Sequence, residues 1–227
     1  MSDRAKRRGR FITFEGGEGV GKSTQIRLLE ARLRDAGLDV VVTREPGGSQ
    51  RAEAIRAYIL GGGARELGPM AEALLFSAAR IDHIDSLIRP ALQAGKWVLC
   101  DRFADSTRAY QGANGKLGDE VIAALEKVTL AGVRPDLTLV LDMPPAIGLR
   151  RAAARREAGA PADRFESEGL GFHARLRKAF HQIANAEPER CVIVNADRTA
   201  PEVEADIFRI IDERLGDTVR RLPALAR

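Results

Sequence analysis

Five short apolar runs punctuate the chain at 11–14, 40–43, 97–100, 137–141 and 192–194, each rich in β-branched or aromatic residues and bounded by turn residues. Runs this short and this uniformly apolar predict strands buried on both faces. Between them the apolar positions recur at helical spacing. Ile26, Leu29 and Leu33 form one stripe after Lys22 that stops at Gly37, the residue expected to cap the helix. The same spacing predicts helices over 52–60, 70–93 with an interruption at Pro90, 119–130, 146–157, 169–185 and 201–215. The alternation predicts an α/β fold, a five-stranded parallel sheet covered on both faces in three α/β/α layers.

No repeat and no low-complexity linker divides the sequence, so 1–227 reads as a single domain. Its margins are a basic N-terminal extension over 1–9 and a tail over 218–227. The segment AGAPADRFES at 158–167 breaks the helical pattern with Gly, Pro and charge. With the arginines before it, about 150–167, it is a candidate lid.

Composition narrows the classes. With 44% hydrophobic and 30% charged residues over 227 positions, the chain can bury a core without disulfide or metal support. The two cysteines, Cys100 and Cys191, border apolar runs and read as reduced core thiols, which excludes a disulfide scaffold and suits the cytoplasm. No apolar stretch approaches the ~18–20 residues of a membrane span, and the N-terminus lacks a signal-peptide core. The basic residues at 4–10 have no interleaved aromatics, so they read as a solvated end rather than an arm for stable nucleic-acid binding. His83, His173 and His181 lack metal-like spacing and are assigned no role.

Chemistry enters at Gly16, Gly17, Glu18, Gly19, Val20, Gly21, Lys22 and Ser23, which fit G-x-x-x-x-G-K-[ST] between a predicted strand and a predicted helix. Glycines let several backbone N–H groups face one anion, and the helix N-terminus adds about half a positive charge behind them. Lys22 then reaches the β and γ phosphates and Ser23 ligates Mg2+. The guanine-reading N-K-x-D is absent, since 114–117 reads Asn-Gly-Lys-Leu, and the chain is small for a motor. A phosphate loop in a small, arginine-rich chain suits a nucleotide kinase with an anionic second substrate. Two like unit charges ~4 Å apart repel by about 4 kcal/mol at an effective dielectric near 20, so cations have to come from elsewhere in the chain.

Further segments complete a pattern: FEGGEGVGKST, TREPGG at 43–48, LLFSAAR at 74–80, DRFADSTRAYQG at 101–112, an arginine-rich helix leading into DRFE at 163–166, and NADR at 195–198. In this order and spacing they resemble bacterial thymidylate kinase, from Phe11 to about the last helix. The resemblance implies a P-loop kinase that transfers the γ-phosphoryl group of ATP to dTMP with Mg2+, and that is commonly a homodimer. A kinase for another deoxynucleotide or nucleoside, or a nucleotide-dependent binding module without an acceptor, stays open.

The resemblance also implies roles. Phe76 stacks on thymine and Arg80, four residues on, hydrogen-bonds the base, although alone the pair reads as a core phenylalanine beside a solvated arginine. Arg102 grips the dTMP phosphate, and Asp101 orients Arg102 or the magnesium waters. Ser106, Thr107 and Gln111 belong to the nucleoside pocket and Tyr110 packs under the deoxyribose. Glu18 meets the sugar 3′-hydroxyl or a magnesium water, with Glu15 in support. Arg44 and Pro46 wall the acceptor pocket. Thr24 completes the phosphate loop and Arg198 stacks on adenine. Arg151 and Arg155 share a helical face and resemble the lid arginines that close over the transferred group; without that context they read as a solvated basic face. The loop REAGAPADRFE is a few residues longer than the compact bacterial version, so Arg156 or Arg164 is an alternative to Arg155. Glu166 touches a magnesium water or simply begins a helix.

Overall fold

Every strand pairs parallel to its neighbours, so all the carboxyl ends lie along one rim. The computed structural model describes residues 8–64, 66–113, 117–157, 165 and 168–219. The strands β1 (Phe11–Gly16), β2 (Val40–Arg44), β3 (Trp97–Asp101), β4 (Leu137–Asp142) and β5 (Cys191–Asn195) form one sheet in the order β2-β3-β1-β4-β5. All five predicted strands are present, each slightly longer than its apolar run. The added carboxyl-end residues, among them Glu15, Arg44, Asp101 and Asp142, are polar, which is why hydrophobicity stopped short of them.

The helices are α1 (Lys22–Asp35), α2 (Gln50–Leu60), α3 (Gly68–His83), α4 (Arg89–Gln93), α5 (Ala104–Thr107), α6 (Asp119–Leu130), α7 (Pro145–Glu157), α8 (Leu170–Ala186) and α9 (Ala200–Val219). Strand side chains alternate between faces. Ile12 and Phe14 point into a core with Ile26, Leu29 and Leu33 of α1 and Val203, Ile207 and Ile211 of α9. Phe11 points the other way, toward Ile84, Ile88 and Leu92, while Val140 meets Leu176, Phe180 and Ile183 of α8. Each such fully buried aliphatic or aromatic side chain contributes about 1.5–3 kcal/mol. The predicted end of α1 holds: Gly37 N–H donates to Arg34 O at 2.8 Å and Leu38 N–H to Leu33 O at 3.0 Å, the paired bonds of a Schellman motif.

Two segments depart from the pattern. The helix predicted over 70–93 starts at Gly68, widens into a π turn over Ile84–Ile88 and resumes as α4, so its irregularity lies before Pro90 rather than at it. Proline has no N–H and its ring crowds the carbonyl one turn back; the preceding turn opens, and Arg89 N–H donates to Ile84 O. The spacing predicts no helix over 101–118, yet α5 and a π turn over Arg108–Ala113 form there. Their buried positions, including Ala104, Asp105, Thr107 and Gln111, make no apolar stripe. Ala104, Ala109 and Tyr110 pack into the core, and polar contacts add to them: Arg190 Nη1 and Nη2 donate to Asp105 at 2.6 and 3.0 Å, and Arg190 Nη1 also donates to Thr138 Oγ1 at 2.6 Å.

The end of the basic extension is tied down, with Arg8 and Arg10 both pairing with Asp136. Cys100 and Cys191 are free and buried. Among the described residues, no helix is long and apolar enough to cross a membrane.

Candidate active site

β1 delivers the chain to the rim at Gly16, and α1 leaves it at Lys22. Between them the backbone turns through positive φ at Gly16 (128), Gly19 (70) and Gly21 (97). Gly21 stands at the N-cap of α1 without a side-chain cap; Thr24 and Gln25 N–H both donate to Gly21 O at 3.1 Å, which leaves the Lys22 and Ser23 N–H groups without an intrahelical partner. Lys22 Nζ donates to Gly17 O at 2.9 Å and Gly16 O at 3.4 Å. Burial, and Arg102 second, hold its ammonium below the ordinary lysine value. Ser23 Oγ donates to Asp101 Oδ2 at 2.9 Å, across from the end of β3.

The next residue, Arg102, adopts φ 69, a left-handed angle uncommon for a side chain of its size. Its Nη2 donates to Glu18 Oε1 at 2.6 Å and its Nη1 to Gly16 O at 3.0 Å and Ser106 Oγ at 3.3 Å. Tyr110 OH donates to the same Glu18 oxygen at 2.8 Å. Burial pushes the Glu18 carboxyl up, but Arg102, Lys22 and the Tyr110 hydroxyl outweigh it and bring the pKa to about 2. Glu15 lies fully buried below, accepting from Phe103 N–H at 2.8 Å, Ser106 N–H at 3.3 Å and Ser106 Oγ at 2.6 Å. Burial first, and Asp105 second, push its carboxyl up to about 7.

Away from the phosphate loop, Arg80 is 4% exposed. Its Nε donates to Glu45 Oε2 at 2.6 Å and its Nη2 to Phe103 O at 3.1 Å and Thr107 Oγ1 at 3.0 Å. The other Glu45 oxygen lies 3.1 Å from His83 Nδ1, and His83 Nε2 lies 2.7 Å from Thr43 Oγ1. A carboxylate only accepts, so Nδ1 carries a proton and donates to Glu45. Gln111 Nε2 donates to buried Glu72 at 2.9 Å.

Glu18, Lys22, Glu45, Arg80, Arg102 and Gln111 border one cavity of about 1020 Å³ that runs from the phosphate loop past Arg102 to Phe76 and Arg80, with Glu15, Thr43, Glu72 and His83 behind its wall. That volume stands at the upper end of the roughly 300–1,000 Å³ of a single small-molecule site. A family model described as thymidylate kinase matches residues 14–207. The chain belongs to the thymidylate kinase family. It is 56% identical over 208 residues to a thymidylate kinase of Bradyrhizobium sp. strain BTAi1, covering 92% of each chain. It is 53% identical to that of Afipia carboxidovorans over the full length of both. The crystal structure of thymidylate kinase from Ehrlichia chaffeensis superposes with a TM-score of 0.71 at 31% identity, covering 89% of this chain and 98% of that one. The activity is that of the family, phosphoryl transfer to dTMP.

Most of the residues that carry the thymidylate kinase resemblance meet at this cavity. Glu18 to Thr24, Arg44, Pro46, Phe76, Arg80, Asp101, Arg102, Ser106, Thr107, Tyr110, Gln111, Arg151, Arg155 and Arg198 all line it. Gly16 and Gly17 lie behind the loop, and Glu15 lies beneath it. The side chain of Arg156, together with Arg164 and Glu166, lies outside the described residues. Asp101 is not the residue that holds Arg102: it takes the Ser23 hydroxyl, and Glu18 takes the guanidinium, because Arg102 turns away from β3 through its left-handed backbone. Ser106 and Thr107 are engaged with Glu15 and Arg80 rather than presented freely. Sequence reasoning missed Glu45 and His83, whose pairing needs two distant segments. It also missed Arg56 and Leu60, which line the cavity from α2 and whose four-residue spacing could have marked a common face.

Proposed function

We propose that the donor is ATP, that Mg2+ accompanies it, and that dTMP occupies the Phe76 end, giving dTDP and ADP in the cytoplasm. The observation that supports this is the single cavity joining the phosphate loop to Arg80 through the Arg102–Glu18 pair. Lys22 exchanges its carbonyl partners for donor phosphate oxygens. Ser23 and Asp101 offer a hydroxyl and a carboxylate 2.9 Å apart, hard oxygen donors that suit Mg2+. No cluster of three or more His, Cys, Asp or Glu side chains suited to a metal occurs among the described residues, and Mg2+ typically takes one or two carboxylates with phosphate and water completing its shell. When bound, the ion supplies charge neutralisation between the two phosphate chains. Glu166 is a further candidate ligand through water.

Arg102 grips the acceptor phosphate with a fork that Glu18, ionised at neutral pH, keeps oriented. That phosphate, with a second pKa of about 6, is its own nucleophile, so no general base is required. Phe76 stacks on the thymine. Arg80, anchored through Nε and Nη2, donates to the base, Gln111 reads it, Arg44 and Pro46 wall the pocket, and Tyr110 packs under the deoxyribose. Arg151 and Arg155 close over the transferred group, and Arg198 stacks on adenine. The chain functions as a single domain and as a homodimer, without stable nucleic-acid binding. Met70, Leu74 and Ile81, all exposed on one side of α3, supply an apolar dimer face.

ADP release measured with dTMP, dUMP, dCMP, dGMP and thymidine tests the reading. A dominant response to dTMP is expected; a larger response to another acceptor, or ATP hydrolysis indifferent to all of them, overturns it. Lys22→Ala is expected to remove turnover with the fold intact, and an active variant would remove the phosphate-loop assignment.

A further inference from the structure

The helix that carries Arg151 and Arg155 is laid directly on the backbone of the phosphate loop. A methyl carbon built at Gly148, in the first turn of α7, would lie well under 3.0 Å from the Glu18 carbonyl oxygen. The contact is reciprocal, since one built at Gly19 would collide with the Gly148 carbonyl. On α7, Gly148, Arg151, Ala152 and Arg155 follow the i, i+3, i+4, i+7 pattern of one face. Ala152 is buried, and both arginines line the cavity. At 1.5 Å per residue, Arg151 and Arg155 start about 4.5 and about 10.5 Å along the helix from the contact.

We infer that Gly148 is a positioning residue for catalysis: by carrying no side chain it seats α7 against Glu18 and Gly19, and so sets the height of Arg151 and Arg155 over the transferred phosphoryl group. The inference rests on the catalytic reading of those two arginines. Adding a methyl group at position 148 requires the two backbones to part by about 1 Å to reach an ordinary carbon–oxygen separation of about 3.3 Å. A misplacement of that size costs on the order of 100-fold in rate when the displaced group acts on the transition state. Alanine favours helix over glycine, so α7 itself is not weakened by the change.

The test is steady-state kinetics of Gly148→Ala with ATP and dTMP, beside thermal unfolding and the Arg151→Ala/Arg155→Ala double variant. The expected result is a kcat about 100-fold lower with KM for dTMP changed less than about threefold, and no further loss when Gly148→Ala is added to the double variant. Wild-type kcat in Gly148→Ala, losses that add to those of the arginine variant, or a raised KM at unchanged kcat would each overturn the positioning role while leaving the arginines in place. Wild-type kcat in the double variant would instead remove the arginine reading, and this inference with it. Should Gly148→Ala fail to fold, Ala152→Val presses on the same face one turn later, and the same kcat-selective loss is expected; unaltered kcat there counts against the proposal.

Discussion

Arg102 sits in a backbone region that costs a residue with a Cβ of order 1–3 kcal/mol, and it stays there because its surroundings leave no better option. Its N–H donates to Phe14 O at 2.9 Å, while its guanidinium is held by Glu18, Gly16 and Ser106. The pair makes a pH prediction. Glu18 has a folded pKa of about 2 against an ordinary 4.5, so its contribution is complete above pH 4.5 and is lost as pH falls toward 2. Denaturant melts of wild type and Glu18→Gln are expected to differ by about 3 kcal/mol at pH 6 and by much less near pH 2; equal differences at both would deny the ion pair its charge-assisted character. His83 gives a second test. His83→Leu leaves Glu45 Oε1 and Thr43 Oγ1 without their His83 partner in a dry site, so a loss of about 1–3 kcal/mol is expected, with a raised KM for dTMP because the Glu45 carboxylate that braces Arg80 through Oε2 is no longer fixed from its other side. An unchanged KM would make His83 purely structural.

Elements differ in what made them readable. The five strands were legible because a parallel sheet covered on both faces demands continuous apolar runs, and α1 because Ile26, Leu29 and Leu33 meet one core. The segment Ala104–Ala113 was hidden for the opposite reason. Its buried face mixes Ala104, Ala109 and Tyr110 with polar Asp105, Thr107 and Gln111, and part of what holds it is Glu15 from β1 and Arg190 from the turn before β5, both distant in sequence. Glu15→Ala should therefore unseat the start of α5, taking the acceptor from the Phe103 N–H and from the Ser106 hydroxyl while Ser106 N–H keeps Phe103 O, at a cost of about 2–6 kcal/mol in unfolding free energy. A drop below 1 kcal/mol would show that water replaces the carboxylate. The π turn before α4 was partly legible: Pro90 announced a disturbance, but only packing decided that the preceding turn would absorb it.

For the whole molecule, the arrangement to test is association. Met70, Leu74 and Ile81 lie within one quarter of the α3 surface and are 41–50% exposed, while α3 packs against α2 and α6. An exposed apolar face of this kind suits a two-fold dimer. Sedimentation is expected to report twice the chain mass of 24.7 kDa, with Leu74→Lys reducing it to one chain; a wild-type monomer would refute the dimer. The same scale assembled the site. Phosphate loop, Arg44, Phe76, Arg102 and Arg198 come from separate stretches, and the parallel sheet brings them together because every strand ends at the same rim.

Local chemistry alone settled the strands, the principal helices and the phosphate loop, since periodicity, glycine placement and the Lys22–Ser23 pair act over a few residues. The order of the further motifs carried the acceptor end only by resemblance. Tertiary structure decided that Glu18, not Asp101, holds Arg102, that Glu45 and His83 stand behind Arg80, and that Gly148 meets the phosphate loop. Each of these is a contact between groups many residues apart, and a polar side chain declares its partner only when folding has removed the water that would otherwise satisfy it.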